Sequence, residues 1–152
     1  MMKNRIAGYS KELEDIIREF RRDLENSKKI NKSFREMIRE ILKDESDMSF
    51  MSRTDLSGNM LYRLRNQVDE NDPPQRSTLI SVCVGYDIDL MTALSLLDSL
   101  GLGFNRHNPR DYAYSFLLTR CRGKDVDECN EILKELGISE KYFLGKHARK
   151  YK

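Results

Sequence analysis

The sequence lacks the motifs by which most enzymes are recognised. Its 152 residues contain no glycine-rich phosphate loop, no nucleophile elbow and no H-E-x-x-H motif. The two histidines, His107 and His147, have no plausible cysteine or serine partner nearby in the sequence. Acidic residues are numerous, but they fall at expected helix caps and on charged surfaces, where Asp and Glu are ordinary. We therefore expect no enzymatic activity and assign no catalytic residue.

Cysteine is sparse and irregularly spaced. Cys83, Cys121 and Cys129 form an odd set with no C-x-x-C pair, and each lies in an apolar or helical context. The simplest interpretation is three reduced thiols in a cytosolic protein. A zinc site built from Cys121, Cys129 and a distant histidine is an alternative, but the spacing typical of metal ligands is missing. We expect no metal and no other cofactor.

Long apolar runs and a strong net charge are missing as well. The N-terminal residues lead into charged sequence without an apolar segment of signal-peptide length. The most apolar stretch, residues 79–102, is interrupted by Asp87 and Asp89, which favours two core helices over a membrane span. We therefore expect a cytoplasmic protein without a membrane partner. A net charge of +2 neither demands nor excludes a polyanionic partner.

Helical periodicity is what the sequence does contain, and it begins near the N-terminus. Leu13, Ile17, Phe20 and Leu24 alternate four and three residues apart, which predicts an amphipathic helix with one narrow apolar seam. The seam is too short for a persuasive coiled coil, so two interpretations stay open. Either it packs on its own domain, or it pairs with a second copy or another protein. In the second case these four residues are the candidate homodimer interface. Residues 25–33 are polar and predict a hinge.

Residues 47–66 predict two short helices joined by a turn. Phe50 and Met51 would bury the first helix, Leu56 would fill the corner beneath the turn, and Leu61 and Leu64 would seat the second helix. A serine at position 57 is suited to cap that second helix. Its opposite face is polar, and side chains of this kind read bases or bind phosphate. That face carries Gly58, Asn59, Tyr62, Arg63 and Asn66.

Periodic segments on both sides complete an all-helical prediction. Residues 34–42 predict a helix before the motif, and Pro73 and Pro74 require the motif's second helix to end before them. Further helices are expected from about Ser77 to Gly85, from Asp87 or Asp89 to Leu100, after Asn108 and after Asp125. Because we find neither an alternating strand pattern nor an internal repeat, we predict an all-α fold.

Five helices of this kind resemble the lambda-repressor-like, or XRE-type, helix-turn-helix family. The similarity covers about residues 34–101, and its specific part is the twenty-residue motif, whose apolar positions are Phe50, Leu56, Leu61 and Leu64. The resemblance implies an all-α fold with a five-helix core, an N-terminal amphipathic helix and two additional C-terminal helices. The corresponding divisions are 1–32 for the N-terminal helix and hinge, 33–103 for the helix-turn-helix domain, 104–145 for a helical extension packed on the core, and 146–152 for a basic tail.

Two positions of the motif carry their own expectations. Asp55 stands where the family usually has a turn glycine, so we expect this aspartate in the left-handed conformation that it tolerates at modest cost. Met51 stands where the family usually has a small residue, so the resemblance places it at the close approach of the two helices.

A second resemblance concerns several longer segments of the sequence. The segments 56–66, 77–85, 96–102 and 127–133, with Phe143-Leu-Gly145, are similar to the C-terminal half of uncharacterised bacterial and phage-associated proteins that carry this domain. Some of those proteins have a zinc-peptidase domain upstream. Without an H-E-x-x-H motif this chain inherits no peptidase activity.

The resemblance implies a bacterial or phage-related transcriptional regulator that binds double-stranded DNA and reads the major groove with the helix from about Ser57 to Asn66. By that resemblance the bases are approached by Asn59, Tyr62, Arg63 and Asn66. Phosphates are met by Ser57, beside Gly58 at the helix N-terminus, and by Arg53 and Arg65. Structural roles are an alternative for each residue; Arg63, for example, would pair with Asp55 or Glu70.

In one further alternative the chain has the same fold but does not bind DNA. In it the helix-turn-helix is a protein-protein interaction module, which the modest net charge allows. We expect Arg63 and Arg65 on the surface, so that replacing both by alanine would abolish DNA retention and leave the thermal stability nearly unchanged.

Overall fold

Residues 10–146 are described by the structure, which is a computed structural model, and within them the chain is all-α with no β-strand. The described residues divide into two compact units, one that ends at Ser33 and one that begins at Phe34. None of the helices within residues 10–146 combines the length and the apolar character needed to cross a membrane.

The first unit contains helix α1, Lys11–Ile30. Ser10 caps it, because its side chain accepts a hydrogen bond from the amide of Leu13 at 3.3 Å. The predicted hinge at residues 25–33 is wrong for its larger part, since the helix continues to Ile30. Nothing between Glu25 and Ile30 ends a helix, and the basic side chains of Lys28 and Lys29 in the last turn suit its negative end.

The second unit begins with five helices around one apolar core. They are α2, Phe34–Ile41; α3, Asp47–Thr54; α4, Gly58–Asn66; α5, Arg76–Gly85; and α6, Leu90–Ser99. Helix α4 packs on α2 and α3, while α5 packs on α3 and α6. The predicted core positions are confirmed as fully buried: Phe50, Leu56, Leu61 and Leu64.

Met51 is the exception among the predicted core residues. Its side chain is 45% exposed, so the prediction that it buries α3 is wrong, and α3 instead packs through Phe50 and Thr54. The close backbone approach lies elsewhere, between α3 and the last residue of α5. A Cβ atom on Gly85 would lie 2.6 Å from the carbonyl oxygen of Arg53. Met60, which the periodicity did not single out, is buried in α4.

The C-terminal part adds α7, Pro109–Arg120, and α8, Val126–Glu135, followed by a short 3-10 helix, Glu140–Tyr142. The predicted caps at Asn108 and Asp125 are confirmed, and Asp125 forms a full capping box with Glu128. Both helices contact α5. Of the predicted basic tail, residues 147–152 lie outside the described residues.

The chain after the 3-10 helix is held by hydrogen bonds to distant helices. The amide of Leu144 donates to Asn130 Oδ1 at 2.8 Å, and the amide of Gly145 donates to Ser81 Oγ at 2.8 Å. Lys146 then pairs with Asp55 at 3.6 Å. The C-terminal segment therefore reaches the turn between α3 and α4.

Candidate nucleic-acid interface

The turn between α3 and α4 is set by two capping positions. Asp55 ends α3 in the left-handed conformation, with φ 57°, and its amide donates to the carbonyl oxygen of Met51. The expectation for this aspartate is confirmed. Ser57 takes the extended N-cap position of α4, as predicted, but its hydroxyl makes no capping hydrogen bond. The first turn of α4 also contains no acidic residue.

Helix α4 buries one face and presents the other to solvent. Met60, Leu61 and Leu64 point into the core. On the opposite side Asn59 and Asn66 are exposed and Tyr62 is 60% exposed, while Gly58 and Arg63 are half-buried. Three of the five residues of the predicted polar face are therefore exposed, and the other two are partly covered.

The C-terminal end of this face is fixed by hydrogen bonds. The side-chain amide of Asn66 donates to the carbonyl oxygen of Tyr62 at 3.0 Å, and its Oδ1 accepts from Arg39 at 3.4 Å. Arg35 donates to the carbonyl oxygen of Asn66 at 3.2 Å. Two guanidinium groups thus satisfy the end of α4, where the helix is electronegative.

These arginines belong to a basic row that the sequence reasoning missed. Arg35, Arg39 and Lys43 are spaced by four residues along α2 and the turn after it, and all three are exposed. Spacing of this kind aligns side chains on one side of a helix. The signal was present in the sequence, but only the docking of α2 beside α4 shows that the row borders the polar face.

Arg65 does not belong to the exposed face. It is half-buried, and one of its nitrogens donates to the carbonyl oxygens of Leu42 and of Glu45, the latter at 3.2 Å. The expectation that Arg65 lies free on the surface is wrong, because its guanidinium fastens α4 to the chain that follows α2. Replacing it would leave the Glu45 carbonyl oxygen without this donor, whereas the Leu42 carbonyl oxygen also accepts from the amide of Glu45. Arg63 is half-buried as well, so neither arginine is fully exposed on the surface as the sequence had led us to expect.

Arg53 is also engaged with protein groups. Its Nε lies 3.9 Å from Glu45 Oε2, and its guanidinium carbon lies 5.2 Å from the centre of the Tyr86 ring. The Tyr86 hydroxyl donates a hydrogen bond to the Glu45 carboxylate. That bond lowers the pKa of Glu45, while burial and the same carboxylate raise the pKa of Tyr86.

A carboxylate stands beside the N-terminus of α4. A Cβ atom built on Gly58 would lie 3.3 Å from the carboxyl carbon of Asp47. The free amides of a helix N-terminus attract anions. Asp47 therefore already supplies negative charge where the resemblance places a phosphate near Ser57.

The described residues offer no obvious metal centre. Within residues 10–146 no group of three or more histidine, cysteine, aspartate or glutamate side chains is arranged to hold an ion. Cys83, Cys121 and Cys129 are buried free thiols. Burial raises the pKa of Cys83 and of Cys129 to about 12, so both stay protonated at neutral pH. His147 lies outside the described residues.

Comparison of the chain with protein families, with curated proteins and with solved structures finds no match.

Proposed function

We propose that this protein is a cytoplasmic DNA-binding regulator of bacterial or phage origin, with a lambda-repressor-like core formed by α2 to α6. One observation carries the proposal: the polar face of α4 is open to solvent and bordered by the basic row Arg35, Arg39 and Lys43. A helix of this kind fits a major groove, and a neighbouring row of cations is suited to the phosphates beside it.

In this proposal some of these side chains contact bases and others contact phosphates. Asn59, Tyr62 and Arg63 are the residues that approach base edges. They lie on the polar face of α4, and their side chains take no part in the hydrogen bonds at the end of the helix. Asn66 adds an amide that is already oriented by Arg39. Lys43, with the remaining donors of Arg35 and Arg39, makes most of the phosphate contact that the resemblance implies for Arg53 and Arg65. Arg53 and Arg65 instead bind groups of the protein itself.

We further propose that α1 pairs with α1 of a second copy, in antiparallel orientation. Its first half, 11–20, carries four acidic and two basic side chains, and its second half, 21–30, carries two acidic and four basic ones. Opposite halves therefore attract when two copies run in opposite directions. When Leu13 aligns with Leu24 of the other copy, and Ile17 with Phe20, the four layers formed by these residues contain only apolar side chains. The same register sets Glu14 beside Arg21 of the other copy.

A salt titration tests the DNA proposal directly. The full chain should bind a random duplex at low salt, with affinity falling steeply as salt rises, because each phosphate contact releases counterions. Replacing Arg35 and Lys43 by alanine should reduce the slope of log K against log salt by about 2, since each lost phosphate contact contributes about 1. Fluorescence anisotropy of a labelled duplex measures both quantities.

The matched control removes the same charge from another surface. Arg106 and Arg120 are exposed, and replacing both by alanine should leave the slope unchanged if the basic row on α2 makes the contacts. Arg63→Ala should lower affinity for a selected sequence more than affinity for random duplex. Undetectable binding at low salt would refute DNA binding and favour the protein-protein interaction module, in which the same face of α4 contacts another protein.

A further inference from the structure

A cavity on the second unit gathers positive charge away from α4. It has a volume of about 350 Å³ and lies where the N-terminus of α5 meets α7 and the 3-10 helix. Three of its lining side chains are cationic and two are aromatic: Arg76, Arg110, Lys141, Tyr114 and Tyr142. Within the described part of the chain no acidic side chain lines it. Its volume is in the range of small-molecule sites.

Arg76 has unused donor capacity. One terminal nitrogen donates to the carbonyl oxygen of Gly103 at 3.2 Å, but its Nε is buried and has no hydrogen-bond partner among the described residues. A buried donor without a partner costs free energy, so such an atom is expected to be satisfied by something further. An anion beside this guanidinium would supply the acceptor.

Arg110 is held in place from both sides. Its Nε donates to Asp111 at 3.0 Å, and its guanidinium carbon lies 4.8 Å from the centre of the Tyr142 ring. Lys141 contacts the same ring, with Nζ 5.0 Å from its centre. Asp111 is buried and offsets one of the three cationic charges. A net charge of about +2 therefore faces the cavity.

The groups at the start of α5 add further donors to the cavity. The N-cap of α5 is Gln75, whose side chain makes no capping bond, and the first turn of the helix carries no acidic residue. The Tyr114 hydroxyl is already committed, since it donates to the carbonyl oxygen of Tyr142 at 2.6 Å. The remaining donors are cationic groups and helix amides, which are the partners that phosphate prefers.

We propose that this cavity binds a small molecule carrying a phosphate dianion. The charge of the dianion matches that of the cavity, and arginine side chains fit phosphate oxygens in planar, paired geometry. Tyr142 is half-buried and lines the cavity, so it is the aromatic residue that the rest of the ligand can contact, beside the two cations over its ring. This site is independent of DNA binding by α4.

Binding is tested with two probes, inorganic phosphate and adenosine 5′-monophosphate, at constant ionic strength. In a ¹H–¹⁵N spectrum of the full chain, the Nε–H signal of Arg76 and the amide signal of Ser77 should shift and saturate with one or both probes. Equal affinity would mean that the phosphate group alone is recognised. Tighter nucleotide binding would mean that the aromatic wall contributes. Absence of saturable shifts with both probes would refute the proposal.

Variants locate the site. Arg76→Gln and Lys141→Gln should each weaken binding about tenfold, as expected for loss of one charge-assisted contact. Arg120→Gln removes one exposed charge elsewhere and should bind as the unchanged protein does. Lys141 is exposed, so its variant keeps the test decisive even if Arg76→Gln reduces stability. Equal affinity of all three variants would overturn the assignment.

Discussion

Glu45 joins three helices of the second unit through its carboxylate and its backbone carbonyl. The hydroxyl of Tyr86, at the end of α5, donates to it, and Arg53 of α3 pairs with it at 3.9 Å. Its own carbonyl oxygen accepts from Arg65 of α4. The carboxylate therefore joins the end of α5 to α3, and the backbone carbonyl of the same residue joins α4 to them.

These interactions make part of the stability depend on pH. The Tyr86 hydrogen bond lowers the pKa of Glu45 below its ordinary value of 4.5. A carboxyl whose folded pKa is depressed stabilises the fold above the ordinary value, and that contribution is lost as the pH falls through the folded pKa. Glu45→Gln should therefore be less stable than the unchanged protein at pH 7, by about 1 kcal/mol. The difference should shrink below about pH 4.5.

Urea denaturation at pH 7 and pH 3 measures this difference. Asp44→Asn is the matched control, because Asp44 is the neighbouring carboxylate, is exposed, and has a positive φ that asparagine also tolerates. It should show little dependence on pH. A Glu45→Gln destabilisation of equal size at both pH values would contradict a role for the charged carboxylate.

Single residues were the hardest part to predict from the sequence. The burial of Phe50 and Leu56 followed from their spacing, and the left-handed turn at Asp55 followed from the tolerance of aspartate. The role of Arg65 did not, because its partners are carbonyl groups 20 and 23 residues away, and every residue carries a carbonyl. A charged side chain on a helix gives no local sign that it will turn inward.

At the scale of elements, caps and breakers made most helices predictable. Asn108 before Pro109 and the Asp125 capping box each start a helix where expected. The end of α1 was missed because Glu25–Ile30 contains no proline or glycine, and polarity alone does not end a helix. The contact of α3 with α5 was also missed, since the close approach depends on Gly85, and in the sequence this glycine indicates only the end of a helix.

Gly85 is the element-scale position where we expect the largest effect of one added methyl group. A Cβ atom there would lie 2.6 Å from the Arg53 carbonyl oxygen and 3.1 Å from Thr54 Cγ2, so α3 and α5 would have to move apart. Gly85→Ala should destabilise the fold by about 1 to 3 kcal/mol, although alanine favours helix by about 1 kcal/mol over glycine. Urea denaturation gives the value.

Gly103 supplies the matched control for this substitution. A Cβ atom on Gly103 would meet only Asp98 Oδ1, at 3.7 Å, which is ordinary contact. Gly103→Ala should therefore change stability by less than about 0.5 kcal/mol. If Gly85→Ala were equally mild, the close packing of α3 against α5 would be wrong.

At the scale of the whole molecule, the second unit contains the buried apolar core and the first unit contains an exposed apolar seam. Residues 34–152 contain every member of the buried apolar core, from Phe34 to Leu144. Helix α1 buries none of its residues and exposes large apolar side chains, with Phe20 63% exposed. The sequence left open whether this seam packs on its own domain or on a partner. The distribution of charge along α1 is what favours a second copy of the chain.

Charge reversal tests the antiparallel pairing of α1. In the proposed register Glu14 lies beside Arg21 of the other copy, and the pair occurs twice in a dimer. Glu14→Lys alone, or Arg21→Glu alone, should weaken dimerisation about tenfold, because both pairs become repulsive. The double variant exchanges the two charges and should restore the original dissociation constant, as measured by sedimentation equilibrium. In a parallel pair these residues do not face each other, so the double variant would gain nothing over the single ones.

Residues 34–152 alone should remain monomeric with an unchanged circular dichroism signal per helical residue, and a dimer of that fragment would place the interface outside α1.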